Sequence, residues 1–527
     1  MLKICGSLVM RVGFNGVDGF HHHVGVGSVD NLASGTFYLT LMQVLNYAVV
    51  FVFYVLAARI LSPSEVGSFS LLLMAMSVFN TVTLLALNNA VIKYVSENLG
   101  RGDVDTASAS SRKAFKLIIY TSSPALAVGF MISPTLSQYI GVGVLEVLSI
   151  LSSAFILNLT SYYGAVMFGC SMFREVSLQN IIYTSLSRIL GVLLAYLGCR
   201  VLGLSLGFLI GSAVTLIYSI IVLRGRLKPS GGCYPSIKLL KFSLPIYGGN
   251  IIGLVQGWLD IALLSSLAGL GSTGTYYIAV SSIAPLTILW TPLSSALFPT
   301  LSLINGRGGV GEVRLILERA LNIATAVILP LSIALASVPQ TALSIAYGGR
   351  YAEASIPFSI LSSLAVVNAY TSIYSVGLQS VGVTKPIFKA GVASTIAYMV
   401  LLSSLTIPLR QVGAALARAS MAIVGFTILR RELKVGAPRS LKRSIVASSI
   451  IAATLTPIEI CLKANIYVKA LIEALTFTAA LTAAYKLIKP LSSEEVELIK
   501  TIIPLRRGRI RYQDAKQLNF KPRKSIQ

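Results

Sequence analysis

Two charged residues, Arg188 and Asp260, lie in long apolar runs, and no other charged residue falls within ten positions of either. A charge at the centre of a bilayer costs roughly 2.5–3.5 kcal/mol even on lenient insertion scales, so it faces a wet cavity or a partner. The planar guanidinium of arginine binds phosphate oxygens well, whereas a carboxylate can pair with a cation or respond to protons. The two residues therefore indicate a polar path through an apolar protein.

The neighbours of both residues favour an interior position. Arg188 shares a helical face with Thr184, Ser185 and Gly191. Asp260 ends a stripe of small and polar residues at spacings of three and four, which is typical of a helix face turned away from lipid. The other members of this stripe are Gly249, Gly253, Gln256 and Gly257. The pattern leaves two roles open for Asp260, a gating or ion-responsive group in a cavity and a structural ion pair.

Further basic residues extend the set of candidates. Arg418 has Ala414, Ala415 and Ala422 on its helical face, which predicts that it too is interior. Arg59 follows the first apolar run, and Lys93 follows the second. Together these cations predict an electropositive central path, which suits an anionic substrate such as a lipid pyrophosphate.

The composition predicts that helices in a membrane position these residues. The 527 residues are 55% hydrophobic and 12% charged, with a mean hydropathy of +0.78, whereas soluble domains are about 25% charged. Apolar runs of about 20 residues predict an all-α integral membrane protein with about fourteen transmembrane helices. The predicted spans are 33–58, 66–91, 115–133, 145–168, 177–199, 201–223, 243–267, 275–301, 319–338, 354–380, 387–407, 411–429, 443–461 and 466–488.

The order of these spans predicts two copies of a six-helix unit and an extra pair. Each copy has an even number of spans, so both start on the same side of the membrane, and the repeat is parallel. Residues 62–72 can be aligned with residues 269–279 at equivalent places in the two copies. The extra pair could line a lipid-facing groove or form a stabilising hairpin. The predicted segments are a leader at 1–32, an N-lobe at 33–223, a connector at 224–242, a C-lobe at 243–429, the extra pair at 443–488 and a basic tail at 489–527.

The charge distribution predicts the orientation. The net charge is +24, and alternate loops hold most of the lysines and arginines outside the tail, which places these loops and both termini in the cytoplasm. The basic balance therefore reflects membrane topology and does not indicate nucleic-acid binding. The inner loops and the tail are expected to attract anionic lipid headgroups.

Signals for an enzyme or a metal site are weak. Asp103-Val-Asp105 has the form of a metal-binding DxD motif, but it lies in a short loop and is explained by helix-initiating carboxylates. The glycine-rich segment 306–311 lacks the flanking residues of a phosphate-binding loop. The scattered cysteines form no metal-ligand pattern, and the histidines at 21–23 fall in the leader. We expect no enzymatic activity, no cofactor and no metal.

Several segments, in order, resemble one family. Ala58-Arg59-Ile60-Leu61 followed by Glu65-Val66-Gly67 resembles its opening, and Asn88-Asn89-Ala90 followed by Lys93-Tyr94 resembles the end of its second helix. Leu259-Asp260 and the segments 346–354 and 381–417 match further along. On these residues the chain resembles the polysaccharide biosynthesis (Wzx-type) oligosaccharide flippases of the multidrug/oligosaccharidyl-lipid/polysaccharide exporter superfamily.

The resemblance implies that the chain moves a lipid-linked oligosaccharide between leaflets of the cell membrane by alternating access. It implies that Arg59, Arg188, Arg418, Asn88 and Asn89 bind substrate, that Asp260 couples or gates the cycle, and that glycan-assembly enzymes are possible partners. The first span carries no acidic residue before Arg59, unlike cation-coupled drug extruders of the superfamily. Two alternatives stay open: a multidrug or organic-cation antiporter, and a non-transporting membrane scaffold for glycan assembly.

Overall fold

A computed structural model describes residues 27–224, 234–306, 310–433, 435–436 and 438–488. The leader up to residue 26, with its histidines, the centre of the connector and the basic tail lie outside these ranges. Within them, all regular secondary structure is helical. The α-helices are α1 (Gly27–Ile60), α2 (Pro63–Leu84), α3 (Leu87–Gly100), α4 (Val104–Ile140), α5 (Val144–Gly169), α6 (Phe173–Leu194), α7 (Arg200–Leu223), α8 (Ser236–Ile283), α9 (Thr291–Gly306), α10 (Val310–Ser337), α11 (Pro339–Tyr347), α12 (Ser355–Ser363), α13 (Ala365–Ser380), α14 (Lys385–Leu433), α15 (Leu441–Cys461) and α16 (Ile466–Ile488).

The apolar helices account for all the predicted spans. Eleven helical segments in the described part are long and apolar enough to cross a membrane. Three of these, Phe173–Leu223, Ser236–Leu289 and Lys385–Leu433, contain a reversal at a residue with non-helical dihedral angles. Each of the three therefore contributes two spans, and the predicted multi-pass, all-α membrane fold is confirmed.

Some predicted spans are interrupted. The second divides at Leu85 and Ala86, which both adopt left-handed dihedral angles, with φ of 49° and 55°. The eighth divides at a 3-10 segment, Ala284–Leu289, where Pro285 has no backbone N–H to donate to a helix. Pro292 and Pro299 follow in α9, but their side chains lie outside the described part. Interrupted helices give the bundle places where it can bend.

A reciprocal contact relates the two lobes, here α1–α7 and α8–α14. A Cβ on Gly67 in α2 would collide with the carbonyl oxygen of Leu270, and a Cβ on Gly274 in α8 would collide with that of Pro63. The residues in these two contacts are equivalent in the alignment of 62–72 with 269–279. Reciprocal contacts between equivalent residues are the mark of a two-fold relationship.

A second pair of equivalent positions supports the repeat. Arg200, at the reversal before α7, has φ 45° and ψ −124°. Arg410, at the reversal within α14, has φ 47° and ψ −120°. A glycine follows three positions after each arginine, and a Cβ on Gly203 or Gly413 would collide with the preceding helix. The same turn therefore joins the last two spans of each lobe, and the predicted parallel repeat is confirmed.

The core that many helices of both lobes share lies at one end of the bundle, and in the described part of the other end the start of α8 packs on the N-lobe. At the far end, defined by the turn at Leu61 and by Gly269 and Arg410, one apolar cluster joins residues of both lobes, including Phe53, Leu61 and Tyr351. At the connector end, which holds the loops at 101–103 and 170–172, there are two separate clusters. One comprises residues between 87 and 239, and the other residues between 290 and 435. The described conformation is therefore closed at the far end.

The extra pair, α15 and α16, is fastened to the C-lobe by buried charges. Lys469 Nζ lies 2.6 Å from Glu459 Oε2, and both side chains are almost fully buried. Glu459 also accepts hydrogen bonds from the backbone N–H groups of Gln340 and Thr341 at the start of α11. A groove of about 230 Å³ remains between α16 and the C-lobe, lined by apolar residues with Thr341 and Glu473. The extra pair is therefore bonded to the C-lobe, as a stabilising hairpin would be, and it also lines a groove.

Candidate functional site

Arg188 lies inside the N-lobe, on α6, with an incompletely bonded guanidinium. Its Nη1 donates to the backbone oxygen of Thr184 at 3.2 Å and to Ser187 Oγ at 3.4 Å, both on the same helix. Its buried Nε has no hydrogen-bond partner. The guanidinium carbon lies 5.9 Å from the ring centre of Phe53 and 5.6 Å from that of Phe208. Among the described residues no carboxylate pairs with Arg188, so two aromatic faces stabilise this charge.

The aromatic residues beside Arg188 reach the interface between the lobes. Tyr54, next to Phe53 in α1, forms a hydrogen bond of 2.6 Å with the hydroxyl of Tyr277 in the C-lobe. Trp258 stacks on Tyr277 at a centroid distance of 6.3 Å. Arg188 is therefore close to the interface between the two lobes.

Asp260 and Arg418 form an ion pair inside the C-lobe. Asp260 is fully buried, as its stripe predicts, and its Oδ2 accepts hydrogen bonds from Arg418 Nε at 2.8 Å and from the Tyr276 hydroxyl at 2.7 Å. The backbone N–H of Asp260 donates to the hydroxyl of Tyr398 at 3.0 Å. Arg418 also donates to the backbone oxygen of Gly257. This network neutralises the guanidinium and satisfies the carboxylate, the arrangement that buried charges require.

The glycines of the same stripe do not serve close helix packing. A Cβ added at Gly249, Gly253 or Gly257 would meet no atom within 4 Å, so none of the described helices packs closely against these positions. Gln256 does pack against α14, since its Nε2 donates to Thr395 Oγ1 at 2.6 Å.

Arg59 and Lys93 lie at opposite ends of the bundle. Nε of Arg59 donates to the backbone oxygen of Ala346 at 3.1 Å, close to the end of α11. The last carbonyls of a helix have no partner within it, so Arg59 caps a C-lobe helix from the N-lobe. Lys93 lies over the ring of Phe242 at 4.3 Å, at the connector end.

Asn88 lies in a polar cavity of about 390 Å³ in the N-lobe, surrounded by parts of α2, α3, α5, α6 and α7. Asn89 Nδ2 donates to Asn88 Oδ1 at 3.3 Å. Asn80, Asn158 and Gln179 line the same cavity. Sequence reasoning missed these three, because single amides in separate apolar runs form no motif. They could have been identified as polar residues that lie within a predicted membrane span or at its edge.

The six candidate residues therefore occupy several places. The structure brings Asp260 and Arg418 together, and it places Asn88 and Asn89 beside each other. Arg188 and Arg59 lie apart from both groups. The buried hydroxyls that contact Asp260 were also missed, because tyrosines in a membrane helix carry no distinctive pattern.

Asp103, the first residue of the Asp103-Val-Asp105 motif, initiates a helix. Asp103 Oδ1 accepts the backbone N–H of Thr106 at 2.9 Å, which caps the start of α4. Hydrogen bonds from Thr106 lower the pKa of the exposed Asp103 carboxyl. In the described ranges no group of three or more His, Cys, Asp or Glu side chains is arranged to hold a metal ion.

The fold defines a multi-pass membrane protein whose two lobes are related as the parallel repeats of many transporters are. Residues 55–356 match the polysaccharide biosynthesis protein family, and because this is more than half of the chain, the chain belongs to that family.

Solved transporters share the fold. A structure of the lipid II flippase MurJ in an inward closed conformation matches with a TM-score of 0.68 and 16% identity, over 85% of this chain and 98% of that one. An inward-facing multidrug resistance MATE family transporter of the MOP superfamily matches with a TM-score of 0.58 and 16% identity, over 74% and 94%.

One relative is more similar in sequence than these solved structures, but its alignment covers a smaller part of the chain. The probable flippase AglR of Haloferax volcanii is 25% identical over 283 residues. The alignment covers 53% of this chain and 58% of that protein, so the chain spans little more than half the length of this relative.

Proposed function

We propose that this protein is a flippase that moves a lipid-linked oligosaccharide across the cell membrane by alternating access, for polysaccharide or glycan assembly. The carrier would be a polyprenyl or dolichyl phosphate. The observation that carries the proposal is Arg188, a guanidinium inside the membrane whose Nε is buried without a partner. A phosphate oxygen is a strong acceptor for this fork of donors.

The contrast between the two interior arginines supports this assignment. Asp260 neutralises Arg418, whereas Arg188 rests on aromatic rings and keeps its net charge. An anionic headgroup would gain more from Arg188, since no internal carboxylate has to be displaced. We therefore assign the phosphate contact to Arg188. Arg418, Arg59, Asn88 and Asn89 remain predicted contacts that the substrate meets elsewhere on its path.

Alternating access agrees with the way in which the lobes touch. The far end is closed by the shared apolar cluster and by specific contacts across it, among them the Gly67–Gly274 contact, the Arg59 cap on α11 and the Tyr54–Tyr277 hydrogen bond. In the proposed cycle these contacts break together and the lobes meet at the connector end instead. The substrate headgroup would then pass from Arg188 to the far side.

The test is transbilayer transfer of a labelled polyprenyl-diphosphate oligosaccharide in liposomes that contain the purified full chain. Arg188→Ala should abolish transfer while the protein stays folded, and Arg188→Lys should keep part of it. Arg430→Ala is the matched control, because Arg430 also lies over an aromatic ring, 5.9 Å from Phe426, but is exposed at the connector end.

Each outcome separates the candidates. Full transfer by Arg188→Ala would remove Arg188 from the site. Absence of transfer by the folded wild-type protein for several glycans and carriers would contradict the flippase. An ion-gradient-dependent efflux of cationic dyes would then identify an antiporter, and no transport of either kind would leave the scaffold.

A further inference from the structure

In the part of the chain that the structure describes, the N-lobe cavity is lined by neutral amide side chains and not by the cations that a phosphate site would require. It measures about 390 Å³, within the range of roughly 300–1,000 Å³ of small-molecule sites. Among the described residues that line it, none is charged. Five of the lining side chains are carboxamides: Asn80, Asn88, Asn158, Gln179 and Asn180. So many amides around one uncharged cavity within a membrane protein require an explanation, because each costs free energy where it is unsatisfied.

Two of the five carboxamides are held in place by hydrogen bonds from both of their N–H groups. Gln179 Nε2 donates to the backbone oxygen of Thr160 at 2.9 Å and to Ser219 Oγ at 2.8 Å. Asn158 Nδ2 donates to Thr83 Oγ1 at 2.6 Å and to Ser122 Oγ at 3.0 Å. Each of these amides thus uses both N–H groups within the protein, and its carbonyl oxygen is held in a fixed direction.

One acceptor in the cavity is unused. Asn80 Oδ1 is buried and has no hydrogen-bond partner, which is unusual for a buried polar atom. A neutral ligand with several hydrogen-bonding groups fits such a lining, because none of the described lining residues carries the positive charge that a carboxylate or a phosphate would need. Sugar hydroxyl and acetamido groups are of this kind.

The walls of the cavity also suit a sugar ring. Tyr183 and Phe168 line it and offer aromatic surface to the C–H groups of a ring. Tyr183 packs against the ring of Phe208 at a centroid distance of 6.3 Å, and the guanidinium carbon of Arg188 lies 5.6 Å from the centre of the same ring. A phosphate at Arg188 would therefore bring the sugar attached to it to the neighbourhood of this cavity.

We infer that the carboxamide cavity of the N-lobe is a subsite for the uncharged, carrier-proximal sugar of the transported lipid. This inference rests on the proposed function and adds the chemical class that the site accepts, a neutral hexose or N-acetylhexosamine and not a uronic acid. Arg188 recognises the phosphate, and the cavity distinguishes glycosylated from bare carrier lipid.

The experiment measures binding of three probes to the purified full chain in nanodiscs: polyprenyl diphosphate, the same lipid bearing N-acetylglucosamine, and the same lipid bearing glucuronic acid. The wild-type protein should bind the N-acetylglucosamine lipid about tenfold more tightly than the bare lipid, the value of one or two net hydrogen bonds. Asn80→Ala and Asn180→Ala should each lose most of this advantage and bind the bare lipid unchanged. Asn98→Ala is the control, since its amide bonds within α3, to the backbone oxygen of Tyr94, and lies outside the cavity.

The results that would overturn the sugar subsite differ from those that would overturn the flippase assignment. Equal binding of bare and glycosylated lipid, a preference for the glucuronic acid lipid, or an advantage retained by both variants would overturn the subsite. Arg188-dependent transfer would leave the flippase assignment in place in all three cases. Absence of binding of any probe by folded protein would overturn both.

Discussion

Nε of Arg418 lies 2.8 Å from Oδ2 of Asp260, and the two residues join the first span of the C-lobe to its last. Two buried tyrosine hydroxyls complete this network. Because the positive charge is internally compensated, Arg418 differs from Arg188 although both are arginines inside apolar helices. The pair can hold the C-lobe together, respond to an ion, or do both.

A double-mutant cycle separates these roles of Asp260 and Arg418. Asp260→Asn and Arg418→Met should each destabilise the protein by about 3–5 kcal/mol, because each leaves its partner buried without a counter-charge. The double variant should recover most of this loss, since neither charge remains. Thermal unfolding in detergent measures the stability, and transbilayer transfer measures activity at matched folded protein.

Recovery of both stability and transfer in the double variant would make the pair structural. Recovery of stability alone would assign it a part in the transport cycle. If Asp260→Asn were as stable as the wild type, the pair would have no structural role, and a normal rate of transfer in this variant would also exclude a role in transport.

The interior charged residues were predictable from sequence because they violate the local pattern. A charge within an apolar run is visible without a structure, so Arg188, Asp260 and Arg418 could all be identified. The pairing of Asp260 with Arg418 could not be predicted, because 158 positions separate the two residues and both occur in ordinary helical surroundings. The number of spans followed from hydropathy alone.

Other features depend on tertiary contacts. The break at Leu85 and Ala86 contains neither glycine nor proline, so nothing local marks it. The carboxamide cavity is assembled from separate helices by packing. Gly67 and Gly274 could be aligned as repeats, but their reciprocal contact follows only from the arrangement of the lobes.

Closure of the far end should depend on Gly274. Gly274→Ala places a methyl group against the backbone of Pro63, which cannot move aside as a side chain can. We expect the far end to open and transfer to fall at least tenfold. Gly271→Ala is the control, because a Cβ there meets nothing within 4 Å.

Opening can be measured directly with a cysteine introduced at the buried Thr273, whose hydroxyl bonds within its own segment, to Gly269, in a background without native cysteines. A membrane-impermeant maleimide added from the far side should label it faster in the Gly274 variant than in the Gly271 control. Equal labelling rates would show that this glycine contact does not hold the lobes together.

The stability of the extra pair should depend on Lys469. Lys469→Met leaves Glu459 buried with no cation, at an expected cost of about 3–5 kcal/mol. Lys463→Met, an exposed position in the same hairpin, should change the unfolding temperature little. Similar unfolding temperatures for the two variants would mean that the ion pair contributes no net stability.

The native cysteines test the predicted orientation, on which the direction of transfer depends. Cys199 and Cys461 are exposed and lie at the far end, whereas Cys170 lies at the connector end. If the basic loops are cytoplasmic, an impermeant maleimide should label the first two cysteines in intact cells and reach Cys170 only after lysis. Single Cys→Ser variants identify each labelled site by mass spectrometry. Labelling of Cys170 alone in intact cells would reverse the predicted topology, and the closed end of the described conformation would then face the cytoplasm.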